Sequence, residues 1–263
     1  MHGRNAQFYF DKELESKAQD LLKENKSDVF KLTHDNNSVW LKNSRETKSN
    51  LPLKITSSIF NIKGLIPVEY KTKKESLCYE VSKLQALKKG GIPVPSVIGC
   101  NEQFFILEDT GKNIRSYLKD KNISDVESEN TIEKCLNILS SIHNMGNYHA
   151  GSQVKNYTIK DNIVTAIDFE DSFPSSVSIN DIQYRDIFLF LVSLTGLRRD
   201  IDYKEIIEIY KRNTNNKTID QELKQAAWKL NFLIKIVELD SIYNRASQDT
   251  LCSYNLIKGL QQL

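Results

Sequence analysis

From Tyr148 to Asp171 the chain reads YHAGSQVKNYTIKDNIVTAIDFED, and few architectures can house such a segment. Residues 157–168 alternate in hydropathy around the turn-forming Lys160-Asp161-Asn162, which predicts a small β-hairpin. Upstream, TIEKCLNILSSIHNMG sets Ile132, Leu136, Leu139 and Ile142 on one helical face and stops at Gly146. Downstream, IFLFLVSL (187–194) is apolar all round, the pattern of a helix buried on every side. A short hairpin must therefore lie between two buried helices. Asn156 opens its first strand, and Asp168 closes its second, the apolar run Ile163 to Ile167.

The chain ahead of this segment is mixed. DKELESKAQDLLKEN (11–25) predicts an amphipathic helix with Leu14, Ala18, Leu21 and Leu22 on one side. Next, Val29 to Thr33 and Ser38 to Leu41 read as a hairpin about Asp35-Asn36-Asn37. Residues 43–75 read as a polar, Lys-rich connection whose internal organisation stays open, a short helix near Ile59 being one candidate. ESLCYEVSKLQALKK (75–89) then predicts a helix with Leu77, Val81, Leu84 and Leu87 in register, carrying Glu80 and ending at Gly90-Gly91. GIPVPSV reads as a Pro-bounded turn, and Phe104 to Leu107 as a buried strand, after which a lobe boundary falls near 108–112. From Asp202 onward the chain reads as helical, with Leu223, Ala226, Ala227, Leu230, Ile234 and Val237 in one stripe.

A length of 263 residues allows one large domain or two lobes sharing a cleft. The 36 basic and 34 acidic residues nearly cancel, which argues against bulk nucleic-acid binding. Cys78, Cys100, Cys135 and Cys252 show no metal-ligand spacing and read as reduced thiols. The longest apolar run, Ile187 to Val192, is far shorter than the roughly 20 residues that span a bilayer. The N-terminus has no signal-peptide core, so the expectation is a soluble cytoplasmic protein. The oligomeric state stays open.

Phosphoryl transfer from a nucleotide needs a cation on the phosphates, oxygen ligands for magnesium and a group that orients the acceptor. Asp168 and Asn156 offer two such oxygens, although strand-end Asp and Asn also serve as plain turn caps. The order His149, Asn156, Asp168, then an apolar helix carrying Asp186, matches a kinase catalytic segment. From about Val29 to Leu194 the chain resembles the protein-kinase-like superfamily. The likeness is to its small bacterial branch of lipopolysaccharide-core (Kdo/heptose) kinases and the atypical kinase of the KEOPS complex. SVWLK is similar to the strand with the nucleotide-binding Lys, YEVSKLQAL to the helix with its Glu partner, FFILEDTG to the hinge and IDFE to the magnesium-binding segment.

The resemblance implies an α+β, bilobal fold, with a small mixed N-terminal lobe (1–110) and a mainly helical C-terminal lobe (111–263). It implies that Lys42 pairs with Glu80 on the phosphates of ATP, that Glu108 to Thr110 run beside the adenine, and that Asn156 and Asp168 hold Mg2+ or Mn2+. Asp186 would brace the catalytic loop. The implied activity is transfer to a hydroxyl of a small-molecule or lipid-linked core sugar, or of a protein, by an enzyme that is cytoplasmic or peripheral at the inner membrane face.

Two departures matter. No Gly-x-Gly-x-x-Gly precedes Lys42, and His-Arg-Asp becomes His149-Ala150-Gly151, which removes the usual base. A positioned base is worth about 10²- to 10⁴-fold, less than the metal and cationic clamps supply. Gln153 can orient an acceptor but not take its proton, whereas His149 is either a base or a structural residue packed under the Asp-Phe-Glu motif. Glu170 and Asp171 stand near the metal ligand, and Lys155 is either a phosphate contact or a surface Lys. The run YKTKKE (70–75) with Lys88-Lys89 is either a solvated face or an attractor of an anionic acceptor or membrane. The rival readings are a pseudokinase acting as an interaction module and a nucleotidyl transferase.

Overall fold

The computed structural model describes residues 10–24, 27–47, 66–197, 199–229 and 248–263, with the backbone alone for 24 and 248–253. Its strands are β1 (Val29–His34), β2 (Asn37–Asn43), β3 (Val97–Cys100), β4 (Phe104–Glu108), β5 (Lys112–Asn113), β6 (Tyr157–Lys160) and β7 (Ile163–Ala166). Its helices are α1 (Lys12–Glu24), α2 (Lys73–Lys89), α3 (Ile114–Leu118), α4 (Asp125–Asn144), α5 (Ile179–Thr195), α6 (Tyr203–Thr214), α7 (Ile219–Lys229) and α8 (Gln248–Gln261).

Two Asp-Asn pairs make both tight hairpins. Asp35 and Asn36 join β1 to β2 with φ of 47° and 60°, and Asp161 and Asn162 join β6 to β7 with φ of 50° and 63°. A two-residue turn that matches strand twist needs both residues left-handed, a conformation Asp and Asn tolerate better than most side chains.

The first sheet is antiparallel in the order β1-β2-β4-β3. Period-two alternation divides its side chains. Val39, Leu41, Phe104 and Ile106 meet Leu14 and Ala18 of α1, while Phe105 and Leu107 join a larger core with Leu77, Val81, Leu84 and Leu87 of α2. Lys42, next to Leu41, is thereby aimed at α2 rather than at α1. Burying each of these apolar side chains contributes roughly 1.5–3 kcal/mol.

The helix α2 starts two residues before the expected Glu75. Thr72 is its N-cap, and a capping box with Glu75 satisfies the first-turn donors. It closes where Ile92 N–H bonds the Leu87 carbonyl at 3.0 Å across Gly91, whose φ is +82°. Likewise α4 begins at Asp125, capped by Ser124, rather than near Thr131. The strand β3 follows GIPVPSV and the sequence does not announce it, because residues 97–100 gain their partners from β4 and not from any pattern of their own. Both α3 and β5 are too short to leave a periodic signal.

A three-stranded sheet β5-β6-β7 and the helices α3 to α8 make up the second lobe. In α5, Ile187, Phe190, Leu191 and Leu194 are fully buried, but Val192 is 38% exposed, so one edge of the helix faces solvent. Leu223, Ala226 and Ala227 of α7 are buried as the stripe predicts. Leu230, Ile234 and Val237, and the helix expected near Ile59, lie outside the described residues. Cys78, Cys100 and Cys135 form no disulfide among the described residues. No described helix is long and apolar enough to cross a membrane.

Candidate active site

Lys42, buried on β2, is the meeting point of three elements. Its Nζ lies 2.8 Å from Glu80 Oε2 on α2, 2.6 Å from Asp168 Oδ1 beyond β7, and 3.3 Å from Glu170 Oε2. Glu80 is in turn 3.3 Å from the Phe169 backbone N–H, which it accepts. Arg45, just past β2, holds both carboxylate oxygens of Glu170. Sequence reasoning missed Arg45 altogether.

The electrostatics follow from crowding. Burial works against the Lys42 ammonium, but Glu80, Asp168 and Glu170 together keep it charged, with its pKa well above the ordinary lysine range. Burial raises Glu80 to about 7, since the one ammonium that would lower it is shared. Burial also pushes Asp168 upward, yet Lys42 overcomes it and holds that carboxyl below its usual value. Oxygens of Glu80, Asp168 and Glu170 lie within 4.8 Å of one another. Three carboxylates facing two cations form a donor set suited to a hard divalent ion.

Asp168 does not close a strand as expected. The β7 ladder stops at Ala166, and Asp168 sits two residues on with φ of +70°, a left-handed conformation costly for a residue with a side chain. Asn156 does not open a strand either. It ends a 3₁₀ turn, Val154–Asn156, and its Nδ2 donates to the Gly151 carbonyl at 2.7 Å. That commitment leaves Oδ1 as the acceptor atom of the Asn156 side chain. A Cβ placed on Gly151 would meet Asn156 Nδ2 at 3.2 Å, so the two positions are closely fitted.

The loop around Gly151 hangs from α5. Asp186, fully buried, accepts from the backbone N–H of His149 at 2.6 Å and of Ala150 at 2.9 Å. It lies 3.3 Å from His143 Nε2, while His143 Nδ1 meets the Tyr210 hydroxyl at 2.7 Å. Burial opposes the Asp186 charge, but His143 and the backbone N–H groups keep its pKa low. Ser152 donates to the Asp186 carbonyl and Arg185 to the Ala150 carbonyl. Ala150 is held at φ +80°.

His149 has no exposed surface and stacks on Phe169 with ring centroids 4.3 Å apart. Burial lowers its pKa to about 4, so the ring is neutral near pH 7. Buried geometry suits bracing rather than proton transfer. It acts on Phe169 by stacking.

Lys42, Arg45, Glu80, Thr110, Asn156 and Asp168 line one cleft of about 520 Å³, floored by apolar side chains such as Leu107 and Ile167. Glu108 borders it but turns its carboxylate to Ser96, whose Oγ is 2.9 Å away. Thr110 Oγ1 accepts from Thr158 at 2.8 Å. Gln153 precedes the 3₁₀ turn and Lys155 is exposed; neither lines the cleft. A larger hollow of about 930 Å³, lined by Lys112, Tyr117, Glu127 and Lys134, lies elsewhere. Its polar groups include the Tyr117 hydroxyl, which donates to the Glu127 carboxylate.

The Lys-rich run is no continuous basic patch. Lys71 is buried and donates to Ser172 Oγ at 2.8 Å, and Lys74 pairs with Glu102 at 2.6 Å.

The fold is of the protein-kinase-like kind. The solved structure of WaaP in complex with acyl carrier protein superposes at a TM-score of 0.54, covering 89% of this chain and 98% of that one. Sequence identity is 9%, so the likeness is one of fold. An uncharacterized protein of Haemophilus influenzae is 30% identical over 121 residues, 46% of this chain. The match spans 50% of that protein's length. No known family profile matches the chain.

Proposed function

We propose that this chain is an ATP- and magnesium-dependent phosphotransferase acting on a hydroxyl, of a lipopolysaccharide-core sugar or of a protein. The observation that carries the reading is Lys42 joined at once to Glu80 and Asp168 on the wall of an apolar-floored cleft. On this reading the chain divides at residue 110, with the nucleotide between the two parts. Asp168 and Asn156 would hold the metal, Glu80 would hold Lys42 toward the phosphates, and Thr110 would stand beside the base. The bound metal supplies charge stabilisation for the transferring phosphoryl group. Lys42 stays protonated throughout, because burial is outweighed by its carboxylates.

No described carboxylate replaces the missing one at Gly151. In a loose, dissociative transition state the acceptor hydroxyl loses its proton late, so positioning by the clamps carries most of the rate. The fold-related WaaP was solved with acyl carrier protein, and a protein partner for this chain belongs to the same proposal.

The test is thermal unfolding with ATP, with and without magnesium, for the wild type and Asp168→Ala. Saturation at about 100 times Kd should stabilise the native protein by about 2.7 kcal/mol. A magnesium-dependent rise that vanishes in the variant is expected; no rise at saturating nucleotide would sink the reading. A second reading, a pseudokinase, is favoured by Gly151 together with the buried His149. Intact-mass analysis of acceptors separates phosphate from nucleotidyl addition, and a pseudokinase adds neither.

A further inference from the structure

Arg45 stands two residues beyond β2, at the end of the cleft where Lys42 and Asp168 meet. Its guanidinium spans the Glu170 carboxylate, with Nε 3.0 Å from Oε2 and Nη2 on Oε1, and its side chain is 45% exposed. The planar fork that grips a carboxylate in two places fits phosphate oxygens equally well.

The chain around it lacks the usual phosphate cover. Kinases close this end of the cleft with a glycine-rich loop over the phosphates. Here Gly3 is the only glycine in the first 63 residues. The β1–β2 register pairs Val29 with Lys42 and His34 with Asn37, so the hairpin turn at Asp35-Asn36 lies at the far end of the strands from Lys42. Side chains must then supply the donors. Lys42 is already shared among three carboxylates, whereas among the described residues Arg45 is held by Glu170 alone, and it has the exposure to swing.

We propose that Arg45 is the terminal-phosphate clamp of the cleft. Its fork passes from Glu170, its resting partner, to the γ-phosphate oxygens when the triphosphate enters, and it does for this site what loop amides do elsewhere. The inference rests on the proposed nucleotide reading, deepens it by one residue, and involves no bond making.

The test compares ATP with ADP, since only ATP carries the group that Arg45 would hold. Apparent affinities come from thermal-shift titrations with magnesium for the wild type, Arg45→Ala and Arg45→Lys. The wild type should prefer ATP. Arg45→Ala should lose about tenfold or more in ATP affinity, the size of one charge-assisted contact, with ADP affinity unchanged. Arg45→Lys keeps a charge opposite Glu170 and so preserves the folded pairing, but it lacks the fork. It should lose several-fold for ATP alone, and it serves as the test if the alanine variant does not fold. A wild-type ATP:ADP ratio in either folded variant overturns the clamp, as does a wild type that binds both nucleotides equally. A wild type that binds neither overturns the nucleotide reading and the clamp with it.

Discussion

Asp186 shows how much of the loop geometry depends on one buried side chain. It is the acceptor for two backbone N–H groups and a partner of His143, all away from water. Asp186→Ala strands those donors, and urea unfolding should show a loss of about 3–5 kcal/mol. Asp168 and Asp186 were singled out by their places about apolar runs, whereas Lys42 and Glu80 were singled out through the resemblance to kinase segments. Arg45 was not, since its tie to Glu170 joins residues 125 apart and no local pattern marks it. Lys83 was missed for a different reason: a lysine on a helix reads as solvated, yet here it is 7% exposed with its Nζ 3.8 Å from the Tyr148 ring centroid.

Among the elements, α2 bears the most consequence, because it sets the height of Glu80 against β2. Thr72→Ala removes one side of the capping box and should cost about 1 kcal/mol in denaturant unfolding, with the first turn fraying and Glu80 still in place. The long helices and both Asp-Asn hairpins could be read from sequence, where periodicity and turn chemistry agree. Starts were read late for α2 and α4, since Lys73-Lys74 and Asp125 to Asn130 are polar and only their caps, Thr72 and Ser124, announce a helix. Strand β3 depends on pairing with β4, a non-local cause that its own residues do not display.

Across the whole molecule, Lys83 joins the two lobes. It extends from α2 to Tyr148 ahead of the loop around Gly151 and to within 5.8 Å of the Phe169 ring, and it bonds the Tyr79 hydroxyl at 3.2 Å. Burial lowers its pKa from 10.5 to about 7, against the pull of Asp186, Asp171 and Glu80 and with a smaller push from Lys71. The folded state therefore holds fewer protons than the unfolded one between pH 7 and 10.5, so this residue makes stability rise with pH across that window. Its cost is full below pH 7. Lys83→Met should flatten the rise and stabilise the protein at pH 7 by on the order of 2 kcal/mol, as seen by chemical unfolding at a series of pH values.

The charge knot at Lys42 also has a place in time. Lys42 and Glu80 are 38 residues apart, whereas Lys42 and Asp168 are 126 apart, so the second contact waits on the closure of a far longer loop. A nascent chain that has emerged only through α2 has one ammonium and one carboxylate to match. The surplus carboxylates, Asp168 and Glu170, arrive with the segment after β7. The excess of negative charge in the knot is thus acquired late in synthesis, when the second lobe is already being made.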